Sequence, residues 1–137
     1  MIAIDTNIFV YRFDSQEPVK QSVAKQLILQ LAKGGETLLV WQVAGELLNQ
    51  LTYWQHRKLI ERPEVEKIIR EIRDFFPLVM PTPTCLDQAL ALSSRYSLQH
   101  WDSMLLGACL EADITTLYTE DMGSPRKIAT IELVNPF

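Results

Sequence analysis

At 137 residues, 47% of them hydrophobic and 22% charged, the chain is long enough to bury a core without disulfides or a structural metal, so one domain over residues 1–137 is expected. A formal net charge of −4 speaks against a general nucleic-acid coat, which carries a basic surface, but leaves room for an acidic site that meets phosphates through metal ions. Two cysteines, Cys85 and Cys109, and two histidines, His56 and His100, stand at no zinc-binding spacing, and the thiols read as buried and free.

The elements follow in chain order. Ile2 to Ile4 reads as a short buried strand that ends at Asp5, with a turn at Asp5-Thr6-Asn7. Pro18 opens a helix carrying Val19, Val23, Leu27 and Leu31 at helical spacing, and Gly34-Gly35 closes it. Thr37 to Val40 is a second strand, followed by a helix with Val43, Leu47, Leu51 and Trp54 on one face. Pro63 opens a third helix (Val65, Ile68, Ile69, Ile72, Phe76), and Leu78 to Met80 is a third strand ended by Pro81 and Pro83. Leu86, Ala89, Leu90 and Tyr96 support another helix, and a further one starts near Asp102 with Leu105, Leu106, Cys109 and Ala112. Ile114 to Tyr118 and Ile131 to Val134 complete a set of five strands. Strands alternating with helices require crossover connections, so the expected fold is α/β with a mainly parallel sheet between helical layers.

Ligands of open α/β sheets bind at the carboxyl ends of the strands, which singles out four acids. Asp5 ends the first strand, and Asp121 lies just past the fourth. Glu46 sits early in the helix after the second strand, and Asp102 opens a helix beside a buried stripe. Each also has an ordinary structural use. Asp5 can cap a turn, Asp102 can be a helix N-cap, Glu46 can be a surface charge and Asp121 a loop residue. Convergence on one rim changes the reading, because crowded carboxylates repel and take up protons unless a cation intervenes. Mg²⁺ and Mn²⁺ prefer carboxylate and water oxygens and support phosphodiester cleavage.

The ordered segments Ile4-Asp5-Thr6-Asn7, Gly45-Glu46-Leu47, Trp101-Asp102-Ser103 and Tyr118-Thr119-Glu120-Asp121-Met122 resemble PIN domains, most of all the VapC-type toxins of bacteria and archaea. The resemblance extends to the terminal Asn135-Pro136-Phe137. It implies a three-layer α/β/α fold around a five-stranded, mainly parallel sheet. It also implies Mg²⁺- or Mn²⁺-dependent endonucleolytic cleavage of RNA, with Asp5, Glu46, Asp102 and Asp121 as the acidic quartet and metal ligands. Asn7 and Thr119 match supporting polar residues. A small antitoxin covering the cleft and a homodimer are the implied partners. The segment Met122-Gly123-Ser124-Pro125 departs from the family in lacking an aromatic shortly after the last acid.

Arg126, Lys127 and Arg12 are the candidate RNA contacts, with a solvated surface as their ordinary alternative. Trp41, Tyr53, Trp54 and Trp101 could stack on unpaired bases, but aromatics at helical spacing more often pack in cores or interfaces, and Trp101 reads as packing that fixes the start of its helix. Glu120 is expected to point away from Asp121 as a solvated charge. No leader and no apolar run near ~20 residues is seen, so a cytoplasmic protein without membrane contact is expected. Three rivals remain: a catalytically silent RNA- or protein-binding module of the same fold, a haloacid-dehalogenase-like phosphohydrolase, and a receiver-type signalling domain. The phosphohydrolase needs a second Asp where Asn7 stands, and the receiver needs a phosphoacceptor Asp after the third strand, where Pro81 to Thr84 offers none.

Overall fold

The computed structural model describes residues 1–137. Strand β1 (Ile2–Ile4) is an apolar run that runs straight into α1 (Thr6–Phe13). Asp5 makes that junction: its backbone is extended (φ −74°, ψ 158°), and its Oδ1 accepts from the Thr6 N–H at 2.7 Å. The expected turn is thus a helix start, and the apolar residues after it belong to a helix. Ile8 and Phe9 are its buried side chains, and the Phe9 ring meets Phe76 edge to face at 5.9 Å.

Proline opens α2 (Pro18–Gly34), and Gly35 ends it at φ 71°, a left-handed conformation that suits glycine. Strand β2 (Thr37–Val40) leads directly into α3 (Trp41–His56), whose Val43, Leu47 and Leu51 are buried. The next elements are α4 (Arg62–Phe75), β3 (Leu78–Val79) and α5 (Thr84–Arg95). Then come α6 (His100–Glu111), β4 (Thr116–Tyr118), β5 (Arg126–Ile128) and β6 (Ile131–Val134). Helices α5 and α6 approach closely at Gly107, where an added Cβ would stand 2.8 Å from the Cys85 carbonyl oxygen.

The sheet has six strands in the order β3-β2-β1-β4-β6-β5, one more than expected. All neighbours are parallel except β5, which pairs antiparallel with β6 through Arg126↔Leu133 and Ile128↔Ile131. The segment Arg126-Lys127 reads as a loop in sequence because a three-residue strand with two charges has no apolar signature. Charged side chains suit such an edge, where they discourage pairing with another chain. Helices complete a three-layer α/β/α arrangement. A core of 27 buried residues fills it, with Ile4, Phe9, Leu39, Leu106 and Leu117 among the most enclosed.

From β1 the chain steps outward through β2 to β3, then returns to place β4 on the other side of β1. The order therefore reverses between β1 and β4, and the carboxyl ends of these strands frame a crevice. Asp5 follows one and Asp121 the other.

Candidate active site

Asp5 is the centre of the acidic group. It is 8% exposed, and its carboxyl is pushed up to about 6 from an ordinary 3.8, chiefly by burial, with the charges of Glu46 and Asp121 adding to the effect. Hydrogen bonds from Thr119 and the Thr6 backbone oppose the shift without cancelling it. The Thr119 hydroxyl, fully buried, donates to Asp5 Oδ2 at 2.7 Å and accepts from the Asp121 N–H at 3.0 Å. One side chain at the end of β4 thereby fixes both acids. Asn7, on the first turn of α1, makes a second bridge: its Nδ2 donates to Asp121 Oδ2 at 2.9 Å and lies 3.5 Å from Asp5 Oδ2. Its Oδ1 is buried and receives no protein donor.

Glu46 projects from α3 and is exposed, but it is not free. The Thr6 hydroxyl donates to its Oε2 at 2.7 Å, and Gln42, one turn earlier on the same helix, donates to its Oε1 at 2.8 Å. Gln42 also donates to the Trp101 carbonyl at 3.1 Å, which links α3 to the start of α6. Asp102 lies in the first turn of α6. It does not cap that helix, since Gln99 holds the cap position. Burial raises its carboxyl, with Asp121 and Glu46 adding like charge.

The four acids act on one another electrostatically across the crevice: Glu46 and Asp121 raise both Asp5 and Asp102. None of them forms an ion pair with a lysine or arginine. As they stand, no three of them close into a single metal-ligating group. Mg²⁺, however, is usually held by one or two carboxylates and keeps several waters. The all-oxygen set, the missing basic partners, the raised Asp5 carboxyl and the undonated Asn7 Oδ1 fit a hard divalent cation held in that way.

Thr6 and Gln42 were not singled out from sequence. The i,i+4 spacing of Gln42 and Glu46 was a local signal for one of these contacts, whereas the Thr6 contact with Glu46 spans 40 positions and had none. Glu120 is a correction. It points away from the acids, but it is bound by the Tyr11 hydroxyl and by Lys20 Nζ at 2.7 Å rather than solvated. Trp101 is another: it is 62% exposed instead of packed, because α6 begins at His100 and leaves the indole on the rim. Trp54 does pack on the core, and Tyr53 is exposed. Arg126 and Lys127 are exposed on β5; Arg126 donates to the Met122 carbonyl at 3.4 Å, in the turn after Asp121. Arg12 stacks over Phe13 at 5.3 Å. None of these three cations donates a hydrogen bond to the acids. Both cysteines are buried and free, as expected. No helix is long and apolar enough to cross a membrane.

A sequence model of the PIN domain matches residues 2–129. Comparison with curated proteins gives no significant match. Among solved structures, the chain is similar to one described as a toxin-antitoxin complex from Klebsiella pneumoniae, with a TM-score of 0.71 and 17% identity over 100% of this chain and 98% of that one. It is also similar to VapBC2 from Rickettsia felis bound to a DNA fragment from their promoter, with a TM-score of 0.71 and 16% identity over 97% of each chain. At these identities the two structures speak to the fold. The family match covers most of the sequence, and the chain belongs to the PIN domain family.

Proposed function

We propose that this member of the PIN domain family is a Mg²⁺- or Mn²⁺-dependent endoribonuclease and the toxin of a type II toxin–antitoxin pair. The observation that carries the reading is Asp5: a buried carboxyl, raised to about 6, joined through Asn7 and Thr119 to Asp121 and facing Glu46 without any basic partner. Such an arrangement is costly for a folded protein unless a cation is bound there.

Bound metal would supply positive charge to the scissile phosphate and sharpen the acidity of an attacking water. The protein's own groups have separable parts. Thr119 and the Thr6 N–H hold both oxygens of Asp5 in place. Asn7 turns Asp121 toward the same crevice. Glu46, exposed and held by Thr6 and Gln42, is placed to orient the water and accept its proton. Arg126, beside the turn after Asp121, is the first choice for a phosphate contact, with Lys127 and Arg12 next. The two similar structures are toxin–antitoxin complexes, which supports an antitoxin partner here; a homodimer is part of the same reading. The place of action is the cytoplasm.

A second reading is favoured by one observation. The acids do not close into one three-ligand group, as a silent RNA- or protein-binding module would allow. One experiment separates the two. Single-stranded RNA and DNA are incubated with the protein and Mg²⁺ or Mn²⁺, with EDTA, and with Asp5→Asn. Metal-dependent cutting of RNA that disappears in the variant is the expected result. Cutting that persists in Asp5→Asn or in EDTA would overturn it, and binding without cutting would favour the module.

A further inference from the structure

Adjoining the acidic crevice at Glu46, the fold leaves a pocket of about 430 Å³ that none of Asp5, Asp102 and Asp121 lines. Trp41 and Trp101 line it, with Met104 and Pro81 as apolar wall and Gln42 and Glu46 as its polar edge. The two indoles are 50% and 62% exposed, and such apolar surface beside a polar edge marks a binding groove. The volume suits a small planar group.

We propose that this pocket is a base-binding subsite that receives one unpaired nucleobase of the strand being cut. The inference rests on the endoribonuclease reading above and extends it to substrate form: single-stranded, with a nucleotide splayed into the pocket. Three observations favour a base. Tryptophan faces stack on any base, and this binding needs no positive charge, which suits a chain of net charge −4. The pocket shares Glu46 with the acidic crevice, so its occupant lies within reach of the scissile phosphate. Gln42 commits its amide nitrogen to Glu46 and the Trp101 carbonyl, which points the side chain along the pocket edge and leaves the amide oxygen to accept from a base amine. A pocket meant only for an apolar protein side chain would not need that polar edge.

The test measures binding of a single-stranded RNA oligonucleotide in Ca²⁺, and its cleavage in Mn²⁺, for wild type, Trp101→Ala, Trp101→Phe and Trp41→Ala. A parallel series carries an abasic nucleotide at successive positions. Stacking on one aromatic is worth enough that Trp101→Ala should weaken binding roughly 5- to 100-fold, with Trp101→Phe recovering most of it. At one abasic position wild type should lose a similar factor, and there Trp101→Ala should lose nothing more. A merely structural role next to Asp102 would lower binding equally on intact and abasic RNA, and that result overturns the proposal. So does undiminished RNA binding accompanied by weaker binding of a protein partner, which would assign the pocket to a protein. If wild type neither binds nor cuts any RNA, the endoribonuclease reading itself fails. If wild type cuts normally and the Trp variants match it, only the subsite fails.

Discussion

Asn7 Nδ2 stands 2.9 Å from Asp121 Oδ2, a hydrogen bond between residues 114 positions apart that ties the first turn of α1 to the loop after β4. The same amide lies 3.5 Å from Asp5 Oδ2, so one neutral side chain separates two carboxylates while holding both. An amide suits this position better than a carboxylate, which would add a further negative charge to the crevice.

Asn7→Ala should therefore lower cleavage far more than stability. Groups that orient metal-binding carboxylates typically cost ~10- to 100-fold in activity or metal affinity when removed. The stability change is that of a partly exposed hydrogen bond, about 1 kcal/mol. Cleavage rates at saturating Mn²⁺ together with thermal melts check both. A variant with unchanged activity would remove Asn7 from the site.

The Asp5 carboxyl sets a pH dependence whose sign is fixed. Its folded value, about 6, lies above its ordinary 3.8, so the folded protein holds the proton more tightly than the unfolded chain. Stability in EDTA should fall as pH rises from 3.8 to about 6, by at most about 3 kcal/mol from this group, and be regained as pH falls through the same window. Other carboxylates titrate nearby, so the check is the difference between wild type and Asp5→Asn. Asp5→Asn should be the more stable at pH 7 and lose that advantage near pH 4. Millimolar Mn²⁺ should raise the melting temperature of wild type at pH 7 and not that of the variant. Equal responses of the two proteins to metal would count against Asp5 as a ligand.

Asp5 and Asp121 were legible because they lie where strands end, and strand ends are marked by short apolar runs such as Ile2–Ile4 and Thr116–Tyr118. Glu46 and Asp102 lie on helices and were read from their place beside buried helix faces. Helix α1 was not legible in the same way. Ile8-Phe9-Val10 favours a strand by composition, and the helix depends on Asp5 capping it and on Phe9 meeting Phe76. Glu120 was misread for a related reason. Its partners Tyr11 and Lys20 are about a hundred positions away, and no local pattern reports them. Trp101 shows the limit of burial tendencies, since a residue that prefers interiors is placed on the rim by the helix start next to it.

Gly107 should tolerate no side chain. A Cβ there would stand 2.8 Å from the Cys85 carbonyl and 3.1 Å from the Ala89 nitrogen, both backbone atoms of α5 that cannot turn aside. Gly107→Ala must push α5 away from α6, and overpacking of this kind costs about 1–3 kcal/mol. Denaturant melts should show the loss, while activity per folded molecule stays within a factor of about two provided that α5, which carries none of the four acids, is the helix that yields rather than α6, which carries Asp102. A melt equal to wild type would mean that the two helices are less closely seated than their geometry indicates.

Glu120 sits between the fully buried Thr119 and the exposed Asp121, and its carboxylate is held by Lys20 and Tyr11 on the far side of the strand end. Lys20 also lies 4.6 Å above the Tyr11 ring and 5.3 Å from the Phe137 ring, so these groups form one lock around the start of the Asp121 loop. Tyr11 is raised above its ordinary 10, first by its hydrogen bond to Glu120 and then by burial, so its hydroxyl remains a donor further into the alkaline range than a free phenol. If the lock positions Asp121, then Lys20→Ala and Glu120→Gln should each slow cleavage, and the double variant should be little worse than either alone. Coupled residues lose the same interaction once, whereas independent ones lose twice. Additive losses in cleavage rate would show that Lys20 and Glu120 act separately and that the salt bridge does not hold the loop.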